Sequence, residues 1–179
     1  TGIDPNQRYA ASQQDRMQWH RTSVVLSDTI DFDEDWSLTT SLYRHDLDRT
    51  WRKVNGFRGD SLYGALTRPE DGRTAIYVAI LQGREMTADS QQALYVGPNQ
   101  RGFVSQGFDT RLAGRLQTGP LAHRIEGGVR VHYDRIRRRH SQDAYWVQGS
   151  VLIPEAAPTD LFEDNEAFTV AGAAFATDA

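Results

Sequence analysis

Polar and apolar side chains alternate along residues 123–134 with the period of a β-strand. Odd positions from His123 to Tyr133 are mostly apolar, and even positions from Arg124 to Asp134 are mostly charged. Since a strand sends successive side chains to opposite faces, this segment predicts a strand with one apolar and one charged face. The pattern fits a soluble sheet with one wet face. It equally fits an outer-membrane barrel with its apolar face in lipid and its polar face in a wet lumen.

A β-hairpin is predicted near the start of the chain, around the short acidic turn at residues 33–35. Its first strand begins near Met17 and ends near Phe32, and its second runs from Trp36 to about His45. Apolar residues recur at every second position in both strands. Two long strands joined by a very short polar turn are typical of a hairpin.

A second hairpin is predicted with its turn at residues 118–120. Its first strand places Val104, Phe108, Leu112 and Leu116 on one face, and its second strand is the alternating segment described first. We predict two further strands, over residues 74–82 and 167–177, and no long helix.

The connections between these strands differ in length. Two turns are short, whereas residues 46–73, 83–101 and 137–165 form long polar segments. Compact domains favour connections of about 4 to 6 residues, while outer-membrane barrels pair short periplasmic turns with long extracellular loops. The sequence therefore predicts an all-β fold of antiparallel up-and-down strands that forms part of a transmembrane β-barrel. A soluble sandwich with insertions remains an alternative on this pattern alone.

Composition narrows the classes of function. The net charge of −4 argues against a general nucleic-acid binder, although Lys53 is the one lysine and arginine supplies the other basic residues. The absence of cysteine excludes disulfides, thiolate metal sites and a cysteine nucleophile. No apolar run approaches the roughly 18 to 20 residues of a membrane helix. No signal peptide is recognisable, and because the chain starts at Thr1 we expect it to be processed or cut from a longer protein.

No motif predicts catalysis, a cofactor or a metal site. The five histidines form no HExxH pattern, and there is no GxSxG motif, P-loop or calcium loop. Glu126 and Asp134 share a strand face but are about 26 Å apart at a rise of about 3.3 Å per residue, too far for a glycosidase pair. We therefore expect no enzyme, no catalytic residue, no cofactor and no metal ligand.

Two arginine-containing segments supply the candidate binding residues. Each follows a predicted strand, at the base of a long loop. Arginines clustered with Trp or Tyr can bind carboxylate or phosphate through paired hydrogen bonds and cation–π contacts. The alternative is a solvated loop base whose arginines pair with headgroup phosphates, such as those of lipopolysaccharide. The candidates are Arg49, Trp51, Arg52, Arg137, Arg138, Arg139, His140 and Tyr145.

The segments SLYRHDLDRTWRKVNGFRG (residues 41–59) and HRIEGGVRVHYDRIRRRHSQDAYWV (residues 123–147) resemble the barrel of TonB-dependent outer-membrane receptors, particularly the ferric-dicitrate and siderophore type. The resemblance extends from about residue 15 to the C-terminus. It implies the outer membrane of a Gram-negative bacterium and import of a ferric siderophore or a ferric-citrate-like anionic chelate. Such receptors have a 22-stranded barrel, a plug domain and an N-terminal box that engages TonB.

This chain shows no plug-like segment and no coupling box, and it has room for about six or seven strands of about 10 residues. We therefore expect residues 1–179 to be a single segment of a barrel domain. Its implied partners are the remaining barrel, the plug, TonB through the missing parts, outer-membrane lipid and lipopolysaccharide. The resemblance transfers no individual binding position.

Two other functions remain open. The chain could be a soluble all-β domain, a sandwich or small barrel, that binds a carbohydrate or another small ligand. It could also be a secreted all-β hydrolase, which would need two carboxyl groups about 5 to 10 Å apart in a cleft. A soluble domain would bury Leu42, Leu112, Val129 and Val131 together, whereas a barrel would expose them in an outward band about 25 Å tall.

Overall fold

A computed structural model describes Asn6 and residues 9–69 and 72–178. The fold is mostly antiparallel β-sheet, so the predicted all-β class is confirmed at that level. The strands are β1 Arg16–Asp31, β2 Trp36–Phe57, β3 Leu94–Thr118, β4 Leu121–Gln148, β5 Val151–Pro154 and β6 Asp160–Asp178. The helices are α1 Leu62–Thr67 and α2 Gly72–Leu81, with 3-10 turns at Ala10–Ser12 and Ser90–Gln92.

From β1 to β5, neighbours in the chain are neighbours in the sheet. The strands follow the order β1-β2-β3-β4, and β5 and β6 both pair with β4. β5 pairs antiparallel with the end of β4, with Tyr145 opposite Pro154 and Gln148 opposite Val151. Residues 155–159 separate β5 from β6. This is the up-and-down order that the hairpin pattern predicts.

Both predicted short turns are confirmed. In the first, the Asp33 carboxylate accepts hydrogen bonds from the backbone N–H groups of Asp35 and Trp36, each at 2.8 Å. In the second, Gly119 has a φ of +62°, which other residues rarely adopt. Local side-chain chemistry therefore fixes where each hairpin reverses.

The predictions between the hairpins are partly wrong. β2 continues to Phe57 and β3 begins at Leu94, so strand replaces much of the loop predicted at residues 46–73 and the end of that predicted at 83–101. The strand predicted at residues 74–82 is instead helix α2. Its buried residues include Thr74, Tyr77 and Val78, the i, i+3, i+4 spacing of a helix face. A short apolar run does not distinguish a buried strand from a buried helix.

The loop predicted at residues 137–165 is also largely wrong. β4 runs for 28 residues, through Gln148, and β6 begins at Asp160. Arginines at residues 137–139 suggested a loop because they are charged. Ala144, Tyr145 and Val147 follow them and are buried, so the strand is held by later apolar positions.

The chain forms two compact units. Unit 1 comprises Thr1–Trp19, Arg49–Arg101 and Arg138–Asn165, and unit 2 comprises His20–Asp48, Gly102–Arg137 and Glu166–Ala179, each within the described residues.

Unit 1 contains a hydrophobic core. Leu94, Val96 and Val147 are completely buried. The Phe57 ring stacks on the Tyr77 ring of α2, with centroids 4.3 Å apart. The connection from β2 to β3 is therefore a packed helical segment that covers the sheet, rather than two open loops around a strand.

Unit 2 is different, because its large apolar side chains remain exposed. Leu42, Leu112, Val129 and Val131 are between 39% and 52% exposed. β1 is exposed along all of its 16 residues. The joint burial of these four side chains expected of a soluble core is not found. None of the helices in the described ranges is long and apolar enough to cross a membrane.

Candidate ligand-binding site

Arg49, Trp51 and Arg52 lie within β2 rather than at a loop base. Arg52 Nη2 donates a 2.6 Å hydrogen bond to the Tyr145 hydroxyl, and its guanidinium lies 5.9 Å from the centroid of that ring. The Asp143 carboxylate lies 3.8 Å from the same Arg52 Nη2. Because Tyr145 belongs to the unit 1 core, this pair crosslinks β2 and β4 at the edge of the core.

Trp51 and Arg49 differ from Arg52 in their surroundings. Successive strand residues face opposite sides, so Trp51 points away from the side occupied by Arg52. The Trp51 ring is partly exposed, with the Lys53 ammonium 4.9 Å from its centroid. Within the described part of the chain, Arg49 Nε and Arg52 Nε are buried without a hydrogen-bond acceptor. Each of these two guanidiniums therefore has one N–H without an acceptor, although Arg52 already bonds to Tyr145.

Arg137, Arg138, Arg139 and His140 lie within β4 and do not form one cluster. Alternation places Arg137 and Arg139 on one face and Arg138 and His140 on the other. Arg138 donates a 3.3 Å hydrogen bond to the Asn165 side chain, whereas Arg139 is exposed. Of the eight predicted residues, the structure brings Arg52 and Tyr145 into direct contact.

His140 is buried and paired on both ring nitrogens. Arg101 Nε donates to His140 Nε2 at 3.4 Å, and His140 Nδ1 lies 2.6 Å from the Glu163 carboxylate. Because arginine only donates, Nε2 accepts and Nδ1 carries the proton given to Glu163. Burial lowers the pKa of His140, and Arg101 and Arg138 lower it further against the opposing effect of Glu163. His140 is therefore a neutral link between β3 and β6.

A second polar link spans three strands of unit 2. The Tyr43 hydroxyl lies 2.5 Å from His132 Nδ1, and His132 Nε2 contacts the Asp134 carboxylate. Gly107 of β3 lies beneath, and a Cβ there would overlap the Tyr43 hydroxyl. Sequence reasoning missed this link because 89 residues separate Tyr43 from His132. The available signal was a glycine inside a strand, which often marks a close approach.

A row of amides in unit 1 was also missed. Asn99 donates to Asn55 at 3.3 Å, Asn55 to Gln142 at 3.2 Å, and Gln142 to Asp160 at 2.9 Å. Gly97 of β3 lies against the backbone of β4 at Gln142. No periodic signal singles out these amides in the sequence.

Arg58, at the end of β2, anchors the segment between β5 and β6. Its Nη2 donates to Glu155 at 2.5 Å, and its Nε donates to the Tyr95 hydroxyl at 3.3 Å. The hydrogen bond to Glu155 raises the pKa of Arg58, so the guanidinium stays charged.

Metal binding gains no support from the described residues, where no group of three or more His, Asp or Glu side chains could hold an ion. The chain matches no model of a known protein family. A comparison with curated protein sequences gives no match either.

Proposed function

We propose that this chain is part of the barrel wall of a TonB-dependent outer-membrane transporter. The observation that supports this most is the exposed apolar face of unit 2. An open groove on that face draws its lining from four adjacent strands, β1 to β4. Its apolar side chains are Val24, Leu26, Leu42, Phe108, Val131 and Tyr133.

An apolar face of this kind requires a cover. Monomeric soluble proteins rarely expose contiguous apolar patches larger than a few hundred Å². On β4 the apolar positions run from Ile125 to Tyr133, about 26 Å along the strand at roughly 3.3 Å per residue, which is about 20 Å of height at a barrel tilt of about 40°. Barrel proteins present an outward apolar band about 25 Å tall. Lipid is the cover that this alternation fits best.

The opposite face of the same strands is polar and internally paired. Arg130 Nε lies 2.9 Å from the Asp109 carboxylate, and Arg111 Nη1 lies 3.4 Å from Glu126. Paired charges on one face and exposed apolar groups on the other are what a wet lumen and a lipid exterior require. In this arrangement, unit 2 provides the membrane-facing portion.

The exposure of the outer strands supports the proposal that further barrel strands pair with them. β1 and most of β6 are exposed along their length. Unpaired edge groups cost several kcal/mol each in lipid, so additional barrel strands would have to complete the sheet. The proposed partners are therefore the rest of the barrel, its plug, TonB acting through those parts, and outer-membrane lipid with lipopolysaccharide.

The proposed cargo is a ferric siderophore or a ferric-citrate-like anionic chelate. Arg49 is the candidate contact, since it shares a face of β2 with Tyr43 and its guanidinium is not hydrogen-bonded to an acidic side chain in the described residues. Arg139 shares the face of Val129 and Val131, so it does not face a polar lumen. Arg52 and Arg138 already contact residues of the chain itself. The chain would bind and guide the chelate without catalysing a reaction.

Single-cysteine labelling tests the membrane assignment, because the chain has no cysteine of its own. Val129→Cys and Val131→Cys would carry an environment-sensitive fluorophore in protein reconstituted into vesicles. Arg130→Cys and His132→Cys are the matched controls on the opposite face. We expect lipid-borne quenchers to act on positions 129 and 131 and aqueous iodide to act on 130 and 132. Equal accessibility to iodide at all four positions would contradict the proposal.

A soluble all-β domain that binds a carbohydrate or another small ligand is the second candidate. The packed core of unit 1, with Tyr77 and Ile80 fully buried, favours it. It predicts that the protein remains monomeric in water without detergent and unfolds in one cooperative transition. That behaviour would also reject the membrane proposal.

A further inference from the structure

Two arginines of unit 1 lie side by side on the polar face of the sheet. A Cβ added at Gly102 of β3 would lie 3.1 Å from the Asp48 carboxylate, so Asp48 of β2 faces Gly102. Because β2 and β3 are antiparallel neighbours, the residue after Asp48, Arg49, lies opposite the residue before Gly102, Arg101. Opposite side chains on one face of such a pair have Cβ atoms about 4.5 to 5.5 Å apart. The guanidiniums of Arg49 and Arg101 can therefore reach the same ligand.

Neither arginine is neutralised by an acidic side chain within the described residues. The Arg49 guanidinium makes no hydrogen bond there, and its Nε is buried without an acceptor. Arg101 donates to His140, whose ring is neutral. Like charges directly opposite each other destabilise a sheet. Since both arginines are partly exposed, an anion from solvent can reach the pair and remove this repulsion.

An exposed tryptophan adjoins the pair on the other side of Arg49. Asp15, just before β1, interacts with Lys53 of β2, and hydroxyl pairs nearer the turn keep the same antiparallel register. This register places Trp19, four residues after Asp15, opposite Arg49, four residues before Lys53. Trp19 is 64% exposed, and within the described residues its ring stacks on no other ring. The indole is therefore open to a ligand beside the arginine pair.

We propose that Trp19, Arg49 and Arg101 form a binding site for a flat anion of the aromatic carboxylate type. Guanidiniums bind carboxylates through charge-assisted hydrogen bonds, often in pairs. An indole gains further contact from an aromatic ring stacked on its face. The two strand spacings from β1 to β3 give a site about 10 Å wide at roughly 4.8 Å per strand, which accommodates one ring and its carboxylates.

The exposed indole decides between an aromatic ligand and an aliphatic one. A hydroxycarboxylate such as citrate would use the guanidiniums but would leave the Trp19 ring in water. This ligand class rests on the proposed function only where it is identified with the transported chelate, which would then carry its anionic groups on aromatic rings. The site itself does not depend on whether unit 2 faces lipid.

Calorimetric titration of the full chain with isophthalate and with cis-cyclohexane-1,3-dicarboxylate tests the site, because the two dianions differ in their aromatic ring. The protein is kept in an uncharged detergent. We expect isophthalate to bind about fivefold more tightly than the saturated dianion and than citrate. Trp19→Leu should remove that preference and leave the weaker binding. Since Trp19 is exposed, this change should leave thermal unfolding unchanged.

Arg49→Gln tests the recognition of the charge. We expect it to weaken isophthalate binding about tenfold, because it removes one charged donor group. Arg139→Gln, on the opposite face of the sheet in unit 1, is the matched control and should bind as the wild type. The proposal is wrong if isophthalate does not bind, if Arg49→Gln binds it as the wild type does, or if citrate binds as tightly as isophthalate. In the last case a ferric-citrate-like cargo would stand, and the fluorophore test of the apolar face would decide the barrel proposal separately.

Discussion

His140 illustrates how one buried side chain can sense pH. Its neutral ring accepts from Arg101 on β3 and donates to Glu163 on β6, with Arg138 nearby on its own strand. Protonation would place a cation between two arginines and turn the acceptor Nε2 into a donor. The sequence suggested a loop residue for anion capture, because neither its burial nor its partners are visible without the sheet pairing.

Stability should therefore fall as the pH is lowered below about 6.5, the ordinary pKa of histidine. The folded state holds the pKa of His140 below that value, so the unfolded state binds the proton first. The stabilisation that comes from a neutral His140 is complete above pH 6.5 and is lost as the pH falls towards the lowered pKa of the folded state. Thermal unfolding between pH 7.5 and 5 measures it. His140→Gln should flatten the dependence, and the exposed His20→Gln should not. Equal pH profiles for the wild type and His140→Gln would contradict this account.

Gly97 is a second residue whose role depends on strand pairing. A Cβ at this position would overlap the carbonyl oxygen of Ser141 and the Cα of Gln142, both backbone atoms that cannot rotate away. We expect Gly97→Ala to destabilise the protein by about 1 to 3 kcal/mol. Gly172→Ala is the control, because the nearest atom to its Cβ is 3.9 Å away. Denaturant unfolding of the two variants compares them, and similar midpoints would reject the close approach.

At the scale of elements, sequence periodicity predicted the hairpins but not the helices. Alternation over many residues marks strands such as β1 and β4 because each face meets a different environment. α2 was missed because its apolar run is short and its contacts, such as Tyr77 with Phe57, come from distant residues. The C-terminal end of β4 was missed because the charged side chains at residues 137–139 suggested a solvent-exposed loop. A strand can carry such side chains on an exposed face of the sheet.

The segment between β5 and β6 yields a prediction at the same scale. Glu155 anchors it through Arg58, and both side chains are about one-quarter exposed. We expect Glu155→Ala to increase amide hydrogen exchange over residues 151–165 and to cost about 1 to 2 kcal/mol. Glu126→Ala, which breaks the more exposed pair with Arg111, should change exchange little there. Unchanged amide hydrogen exchange in Glu155→Ala would show that the segment between β5 and β6 stays ordered without the Arg58–Glu155 pair.

At the scale of the whole molecule, the two units differ in what they bury. Unit 1 has a core that could be formed in water, whereas unit 2 leaves Leu42 and Val131 half exposed. The alternation in the sequence predicted two faces, but which face is covered depends on the surroundings, which no local pattern contains. The family resemblance supplied the hypothesis of lipid, and the exposed apolar side chains support it physically.

Val129→Arg distinguishes lipid from water at this scale. In a bilayer, an arginine near the midplane of the outer face costs about 2 to 4 kcal/mol. In water, the same change at a half-exposed position would cost little. Guanidinium unfolding from vesicles gives the difference, with Arg130→Gln on the opposite face as the control. A cost below about 0.5 kcal/mol in vesicles would argue against a lipid-facing Val129.

The polar links over Gly97 and Gly107 also set a direction of bending. In each unit, side chains from β2 and β4 meet above the strand that lies between them. Contacts between alternate strands draw those strands together on the side where they form, and glycine in the middle strand allows this. Each sheet portion should therefore be concave on its polar face and convex on its apolar face. If the sheet closes, this curvature would turn its polar face inward and its apolar face outward.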